Sequence, residues 1–209
     1  MADRPIIMSG PMVRATLAGR KTQTRRVLKP QPHPEWRVRQ SPMEDAPSLP
    51  DYRLPYAPGD RLWVRETWAQ WPLDNINAEP KRARIYRATD SEPSIAGVSK
   101  SLQDWWDHKF PWRNPLFMPR WASRLTLTVT DVRVQRVQDI SEYDAEAEGA
   151  EPMLMDDDGS FFLFPDGGRH RTGFSGLWDH LNAKRGFGWI ANPWVVALTF
   201  SAEQRNIDA

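Results

Sequence analysis

Alternation of hydrophobic and polar residues predicts the strands of this chain. The segment 61–68 has a two-residue period, so one face of a predicted strand carries Leu62, Val64, Glu66 and Trp68. Periodic or β-branched runs predict three further strands, near 82–87, 124–136 and 194–200. The last of these is almost entirely apolar, which is typical of a buried strand.

Helical signals are shorter and lie between these strands. Helices are predicted near 11–18, 141–148 and 174–183. Pro11 follows a capping Ser9 and Gly19 ends the first helix, while Ser141 caps the second, which stops at Gly149. The inward face of the third helix is expected to carry Leu177, Trp178 and Leu181.

Proline and tryptophan are both abundant, at 19 and 11 residues. Prolines break helices, so long loops are expected, with tryptophans as anchors and one or two of them stacking on a base. We predict one α+β domain over 1–209, built as a small β-barrel with short flanking helices and with Pro/Trp-rich insertions near 30–58, 69–120 and 151–172.

Composition excludes several classes of function. The chain has no cysteine, which excludes a disulfide scaffold, a Cys-ligated zinc site and a cysteine nucleophile. Its four histidines lie apart without metal-ligand spacing, and phosphate-loop and dinucleotide glycine motifs are absent, so neither metal nor cofactor is expected. No targeting signal or long apolar stretch is visible, which predicts a cytoplasmic protein without a membrane partner.

Charge is divided unevenly although the net charge is only +1. Residues 1–40 contain nine bases and two acids, whereas residues 137–168 contain ten acids and no base. Two such poles are expected to face each other or to bind ligands of opposite sign.

The segment Gly19-Arg-Lys-Thr-Gln-Thr-Arg-Arg26 is the densest candidate for chemistry. Lys21 and Thr24 are three residues apart, so both side chains can point to one place in a turn. Neighbouring arginines are expected to lower the pKa of Lys21, and a neutral lysine can take a proton from a threonine hydroxyl. A solvated basic loop is the alternative reading of this run of charge.

The motif Gly19-x-Lys21-x-x-Thr24-x-Arg26, followed by Pro58-Gly59-Asp60 at the start of a strand, resembles the ASCH domain. That family has a PUA-like β-barrel and is associated with RNA and modified nucleosides. Thr24 stands where the family usually has an acid, as in its small bacterial N4-acetylcytidine amidohydrolases, which also have a helix ending in a glutamate, here Glu148. The N-terminal block is similar to phage and prophage ASCH proteins.

This resemblance implies a catalytic set of Lys21, Thr24 and Glu148, acting on an N-acylated nucleoside such as N4-acetylcytidine. Substrate-binding side chains are expected from Arg26, Glu66, Arg20, Arg25 and Trp68. The alternatives are a non-catalytic module that binds RNA or a modified base, and an interaction scaffold.

Two carboxylates have structural alternatives. Glu148 belongs to a helix whose other acids suggest a solvated acidic face. Glu66 faces inward on its strand, so Arg26 or Arg65 is expected to pair with it unless it binds a base edge.

Overall fold

A computed structural model describes residues 2–32, 54–73, 81–89, 112–155, 161–163 and 169–209. The strands within these ranges are β1 Asp3–Ile7, β2 Gln23–Val27, β3 Arg61–Arg65, β4 Trp68–Leu73, β5 Lys81–Tyr86, β6 Thr126–Arg136, β7 Met153–Met155, β8 Phe161–Leu163 and β9 Trp194–Glu203. The α-helices are α1 Gly10–Leu17, α2 Glu142–Ala147 and α3 His170–Asn182. Short 3-10 turns occupy Pro115–Phe117, Arg120–Ala122, Val137–Asp139 and Ala183–Arg185. The α+β class predicted from the sequence is confirmed.

Five strands form one mixed sheet in the order β1-β3-β6-β9-β2. β1 runs parallel to β3, and β2 runs antiparallel to β9. The hairpins β4-β5 and β7-β8 form separate two-stranded sheets. Within the described part of the chain, no helix is long and apolar enough to cross a membrane. Most residues of the three predicted insertions lie outside the described ranges, and so do His33 and His108.

The chain divides into two compact units, each made of separate segments. The first contains Met1, Gly19–Asp60 and Thr128–Ser201, and the second contains Ala2–Ala18, Arg61–Leu127 and Ala202–Ala209. The divisions fall within β6 and β9, so each of these strands contributes residues to both units.

The core of the first unit is built on α3. Phe174 and Trp178 are buried, and their rings lie 5.8 Å apart. The helix begins four residues earlier than predicted, at His170, and Leu181 is 46% exposed, so its predicted inward position is wrong. The buried residues Phe174, Trp178 and Asn182 are four positions apart. A row of this spacing turns gradually around the helix axis, so Leu181 lies outside it.

The second unit contains β1, α1, β3 and the β4-β5 hairpin. The strand predicted over 61–68 ends at Arg65. Arg65 pairs with Ile7 of β1, whereas Trp68 pairs with Tyr86 of β5, so the chain changes partners across Glu66 and Thr67. Successive residues Leu62, Trp63 and Val64 are all buried, because both faces of this strand are covered.

The predicted helix boundaries at glycine are confirmed. Gly19 follows α1 at φ +72°, and Gly149 follows α2 at φ +75°, both in the left-handed region that glycine favours. Ser141 caps α2, since its Oγ accepts a hydrogen bond from the backbone N–H of Asp144 at 3.0 Å.

Candidate functional site

The Gly19–Arg26 segment is fixed in the first unit. The backbone N–H of Thr22 donates to the carbonyl of Ala147 at 2.8 Å, and the N–H of Phe200 donates to the carbonyl of Thr22 at 2.9 Å. The chain then enters β2, where Thr24 pairs with Leu198 of β9. This segment is therefore not a solvated basic loop.

Lys21 is buried despite its charge, with 1% of its surface exposed. Its Nζ donates to Oε2 of Glu148 at 2.7 Å, to the backbone carbonyl of Glu148 at 2.8 Å and to the carbonyl of Gln23 at 2.7 Å. A lysine ammonium has three N–H donors, whereas a neutral amine has two. Three acceptors therefore match the charged form of Lys21.

Arg25 links Glu148 to a second buried carboxylate. Its Nη1 donates to Oε1 of Glu148 at 3.1 Å and its Nη2 to Oδ2 of Asp144 at 3.0 Å. Gln23 Nε2 donates to the other oxygen of Asp144 at 2.8 Å. We call Lys21, Gln23, Arg25, Asp144 and Glu148 the charge cluster. Its two cations and two anions balance, as buried charges require.

Burial lowers the pKa of Lys21; Glu148 opposes this effect, and Arg26 and Arg25 add to it. The direction agrees with the sequence prediction, but burial rather than the neighbouring arginines is the leading cause. Burial alone would raise the pKa of Asp144, but hydrogen bonds from Gln23 and Arg133, together with the arginine charges, hold it below its ordinary value.

Thr24 lies in β2 with 1% of its surface exposed. Its Oγ1 accepts a hydrogen bond from Arg26 Nη1 at 2.9 Å, and the same nitrogen donates to the carbonyl of Arg25 at 3.0 Å. A guanidinium in this place stabilises negative charge that develops on the threonine oxygen.

Arg20 lies at the exposed edge of the segment and pairs with Glu151 at 3.1 Å, with both side chains more than half exposed. Bases of the N-terminal pole thus pair with acids of the later pole in the first unit. The bases are Arg20, Lys21 and Arg25, and the acids are Glu151, Glu148 and Asp144. Of the two expectations for the poles, mutual pairing is the one observed.

Gln23 and Asp144 are the members of the cluster that sequence reasoning missed. The sequence predicts a solvated face for the acids around Glu148, and that description holds for the exposed Glu142 and Glu146 but not for the buried Asp144. The i, i+4 spacing of Asp144 and Glu148 places both on one helix face, which is the signal that identifies them together. Lys21 and Arg25 offset the unfavourable position of Glu148 at the C-terminal end of α2.

Glu66, in the second unit, is 1% exposed and is paired with an arginine that was not predicted. Arg124 donates from Nε and Nη2 to its two carboxylate oxygens, each at 2.9 Å, and stacks 3.9 Å from the centre of the Tyr86 ring. The predicted partner Arg65 instead stacks over Trp63 at 4.5 Å. Bidentate geometry explains why Arg124 is the partner, because a planar guanidinium matches both carboxylate oxygens at once.

Trp68 belongs to the core of the second unit. It is completely buried, with Trp121 edge-on at 5.6 Å and the Arg113 guanidinium 5.1 Å from its ring centre. Trp68 is thus a core residue of the second unit, and its role in substrate binding stays a prediction.

Among the described residues, no group of three or more His, Cys, Asp or Glu side chains has an arrangement that could hold a metal ion. Comparison of the chain with protein-family models, with curated proteins and with solved structures found no match.

Proposed function

We propose that this protein is an amidohydrolase of the ASCH type, with a PUA-like barrel, and that it removes the acyl group of an N-acylated nucleoside such as N4-acetylcytidine. The observation that carries the proposal is the buried contact between Lys21 and Glu148, at 2.7 Å, in which the Lys21 amine also donates to the backbone carbonyl of Gln23, the residue before Thr24. The five-stranded mixed sheet is compatible with a small α+β fold.

The reaction needs a base for the Thr24 hydroxyl and an acid for the leaving nitrogen. Transfer of one proton along the short hydrogen bond from Lys21 Nζ to Glu148 Oε2 produces both the base and the acid. When the ammonium passes a proton to the carboxylate, a neutral amine and a carboxylic acid result. Burial favours this transfer, because it removes two charges from a site of low dielectric constant.

In the acylation step, Thr24 Oγ1 forms a bond to the amide carbon while its proton moves to the Lys21 amine. The carbon–nitrogen bond breaks as Glu148 gives its proton to the nucleoside nitrogen. Acyl-Thr24, a lysine ammonium and a glutamate carboxylate remain.

In the deacylation step, Glu148 takes a proton from water, and the resulting hydroxide attacks the Thr24 ester. Thr24 leaves with a proton from the Lys21 ammonium, which releases the carboxylic acid and restores the starting state.

The arginines have separate roles in this proposal. Arg26 stabilises the Thr24 oxygen through its 2.9 Å hydrogen bond. Arg20 is exposed and suits contact with a ribose or phosphate. Arg25 is buried and bound to both carboxylates of the cluster, so we assign it to orienting Glu148. We assign no base-edge contact to Glu66, because Arg124 binds both of its oxygens.

The test is incubation of the protein with N4-acetylcytidine and a panel of other N-acyl nucleosides, with the products measured by mass spectrometry. We expect deacylation by the wild type and a loss of about 10³-fold or more in Thr24→Ala and Lys21→Met. Thr22→Ala is the matched control, because Thr22 is an exposed threonine of the same segment and should keep full activity. No turnover of any panel member by the folded wild type would contradict the proposal.

A second candidate is a module that binds a modified base without hydrolysing it. The observation in its favour is that all three donors of the Lys21 ammonium are engaged and that Thr24 is buried. Equilibrium binding of acetylated and unmodified nucleosides and short RNAs, repeated across a salt titration, distinguishes the two. Binding without product supports the module, and steep salt dependence indicates that phosphates are contacted.

A further inference from the structure

Asp144 has no part in the proposed reaction, yet it contacts three side chains around the proposed catalytic pair. Gln23 Nε2 donates to Oδ1 at 2.8 Å, and Arg25 Nη2 donates to Oδ2 at 3.0 Å. Arg133 reaches the same carboxylate from the exposed side, at 3.3 and 3.4 Å. Both oxygens of Asp144 are therefore engaged by donors of other elements.

Two routes connect Asp144 to the catalytic pair. The first is Arg25, whose Nη1 binds Oε1 of Glu148 while Nη2 binds Asp144. The second is Gln23, whose side chain binds Asp144 and whose backbone carbonyl accepts from Lys21 Nζ at 2.7 Å. Since the guanidinium is rigid and planar, Arg25 keeps both carboxylates in one orientation.

We propose that Asp144 is a positioning residue of this site, which acts through Arg25 and Gln23 to fix Glu148 against Lys21 and to balance the buried charge of Arg25. This inference rests on the proposed hydrolase function. It has a consequence that does not depend on turnover, because the charge of Asp144 biases the protonation of Lys21.

The sign of that bias follows from the charges around Lys21. Glu148, Arg26 and Arg25 act on Lys21 directly. Asp144 is connected to Lys21 through its ion pair with Arg25, and Arg133 is the second arginine paired with Asp144. Removing the negative charge of Asp144 leaves an excess of positive charge and disfavours the Lys21 ammonium. Removing the positive charge of Arg25 favours it. The two substitutions must therefore move the titration of Lys21 in opposite directions.

The experiment follows the Lys21 side chain by NMR through a pH titration of the full-length protein. The chain has six lysines, and Lys21→Met identifies the relevant signal. We expect Asp144→Asn to lower the pKa of Lys21 by about one unit and Arg25→Gln to raise it by about as much. Glu151→Gln is the matched control, because it removes the same charge from an exposed pair and should leave the titration unchanged.

The hydrolysis assay supplies a second readout. The limb of the pH–rate profile that depends on the neutral lysine should move with the NMR titration, with kcat affected more than KM. Opposite shifts of the Lys21 pKa in the two variants, without any turnover by the wild type, would contradict the hydrolase function and support the positioning role of Asp144. Turnover combined with shifts below about 0.2 units, or with shifts in the same direction, would overturn the positioning role.

A variant at the exposed side keeps the inference testable if Asp144→Asn fails to fold. Arg133 is 42% exposed, and Arg133→Gln removes a positive charge that acts on Asp144. We expect it to raise the pKa of Lys21 by a smaller amount than Arg25→Gln. A decrease in that pKa would contradict the proposed charge balance.

Discussion

Lys21 and Glu148 are joined twice, because Nζ of the lysine donates both to the side-chain Oε2 and to the backbone carbonyl of the same glutamate, at 2.7 and 2.8 Å. The contact fixes the end of α2 as well as the carboxylate. In addition to its proposed catalytic role, the pair thus holds the Gly19–Arg26 segment against the end of α2.

This double contact predicts strong coupling in stability. Lys21→Met and Glu148→Gln should each lower the free energy of unfolding by about 3–5 kcal/mol, because each leaves an uncompensated buried group. Lys21→Met/Glu148→Gln should cost less than the sum of the two single losses, because the second substitution removes the charge that the first leaves unpaired. Urea unfolding followed by circular dichroism measures this, and strictly additive losses would show that the two residues do not interact in solution.

Asp144 predicts a dependence of stability on acid. Its folded-state pKa lies below the ordinary value of 3.8, so its contribution is fully present above that value and is lost as pH falls through the folded pKa. The stability difference between wild type and Asp144→Asn should therefore shrink as pH is lowered below about 4. Glu146→Gln, an exposed acid of the same helix, is the control in the thermal melts and should show a small difference at every pH.

The buried pair of the second unit predicts an effect of geometry rather than of charge alone. Arg124→Lys keeps the positive charge but loses the bidentate contact with Glu66 and the stacking on Tyr86, so we expect a loss of about 2–3 kcal/mol. Arg87→Lys is the matched control, because Arg87 is an exposed arginine of the same unit and should tolerate the change within about 0.5 kcal/mol. Chemical denaturation that ranks the two variants equally would contradict this interpretation.

The face of α3 predicts a contrast between two apolar residues three positions apart. Trp178→Ala should cost about 3–5 kcal/mol, because the ring is buried against Phe174. Leu181→Ala should change stability by less than about 0.5 kcal/mol, since its side chain is 46% exposed. Thermal unfolding of both variants measures the contrast.

Local signals in the sequence predicted the boundaries of α1 and α2. Pro11, Ser141 and the two left-handed glycines define helix boundaries through interactions within a few residues, so they can be identified without knowledge of the fold. The uneven distribution of charge left two alternatives, mutual pairing or ligands of opposite sign, and the structure shows pairing for Arg20, Lys21 and Arg25.

Other features depend on partners distant in sequence and could not be predicted. The break at Glu66 arises because β3 and β4 pair with different strands, although the alternation continues through the break. Arg124 lies 58 residues from Glu66, and no local pattern distinguishes it from the expected Arg65. Thr24 was assigned from a motif alone, and its burial in β2 follows from pairing with β9 near the end of the chain.

The separation of 127 residues between Lys21 and Glu148 has a consequence for the order of folding. During synthesis the basic N-terminal segment emerges long before α2 exists, so Lys21 and Arg25 remain hydrated until their carboxylate partners are made. Contacts of such long range slow folding, because closure of the intervening chain must come first. The N-terminal bases therefore cannot be buried in the charge cluster before the later acidic helix has been synthesised. The first unit is completed late in the synthesis of the chain.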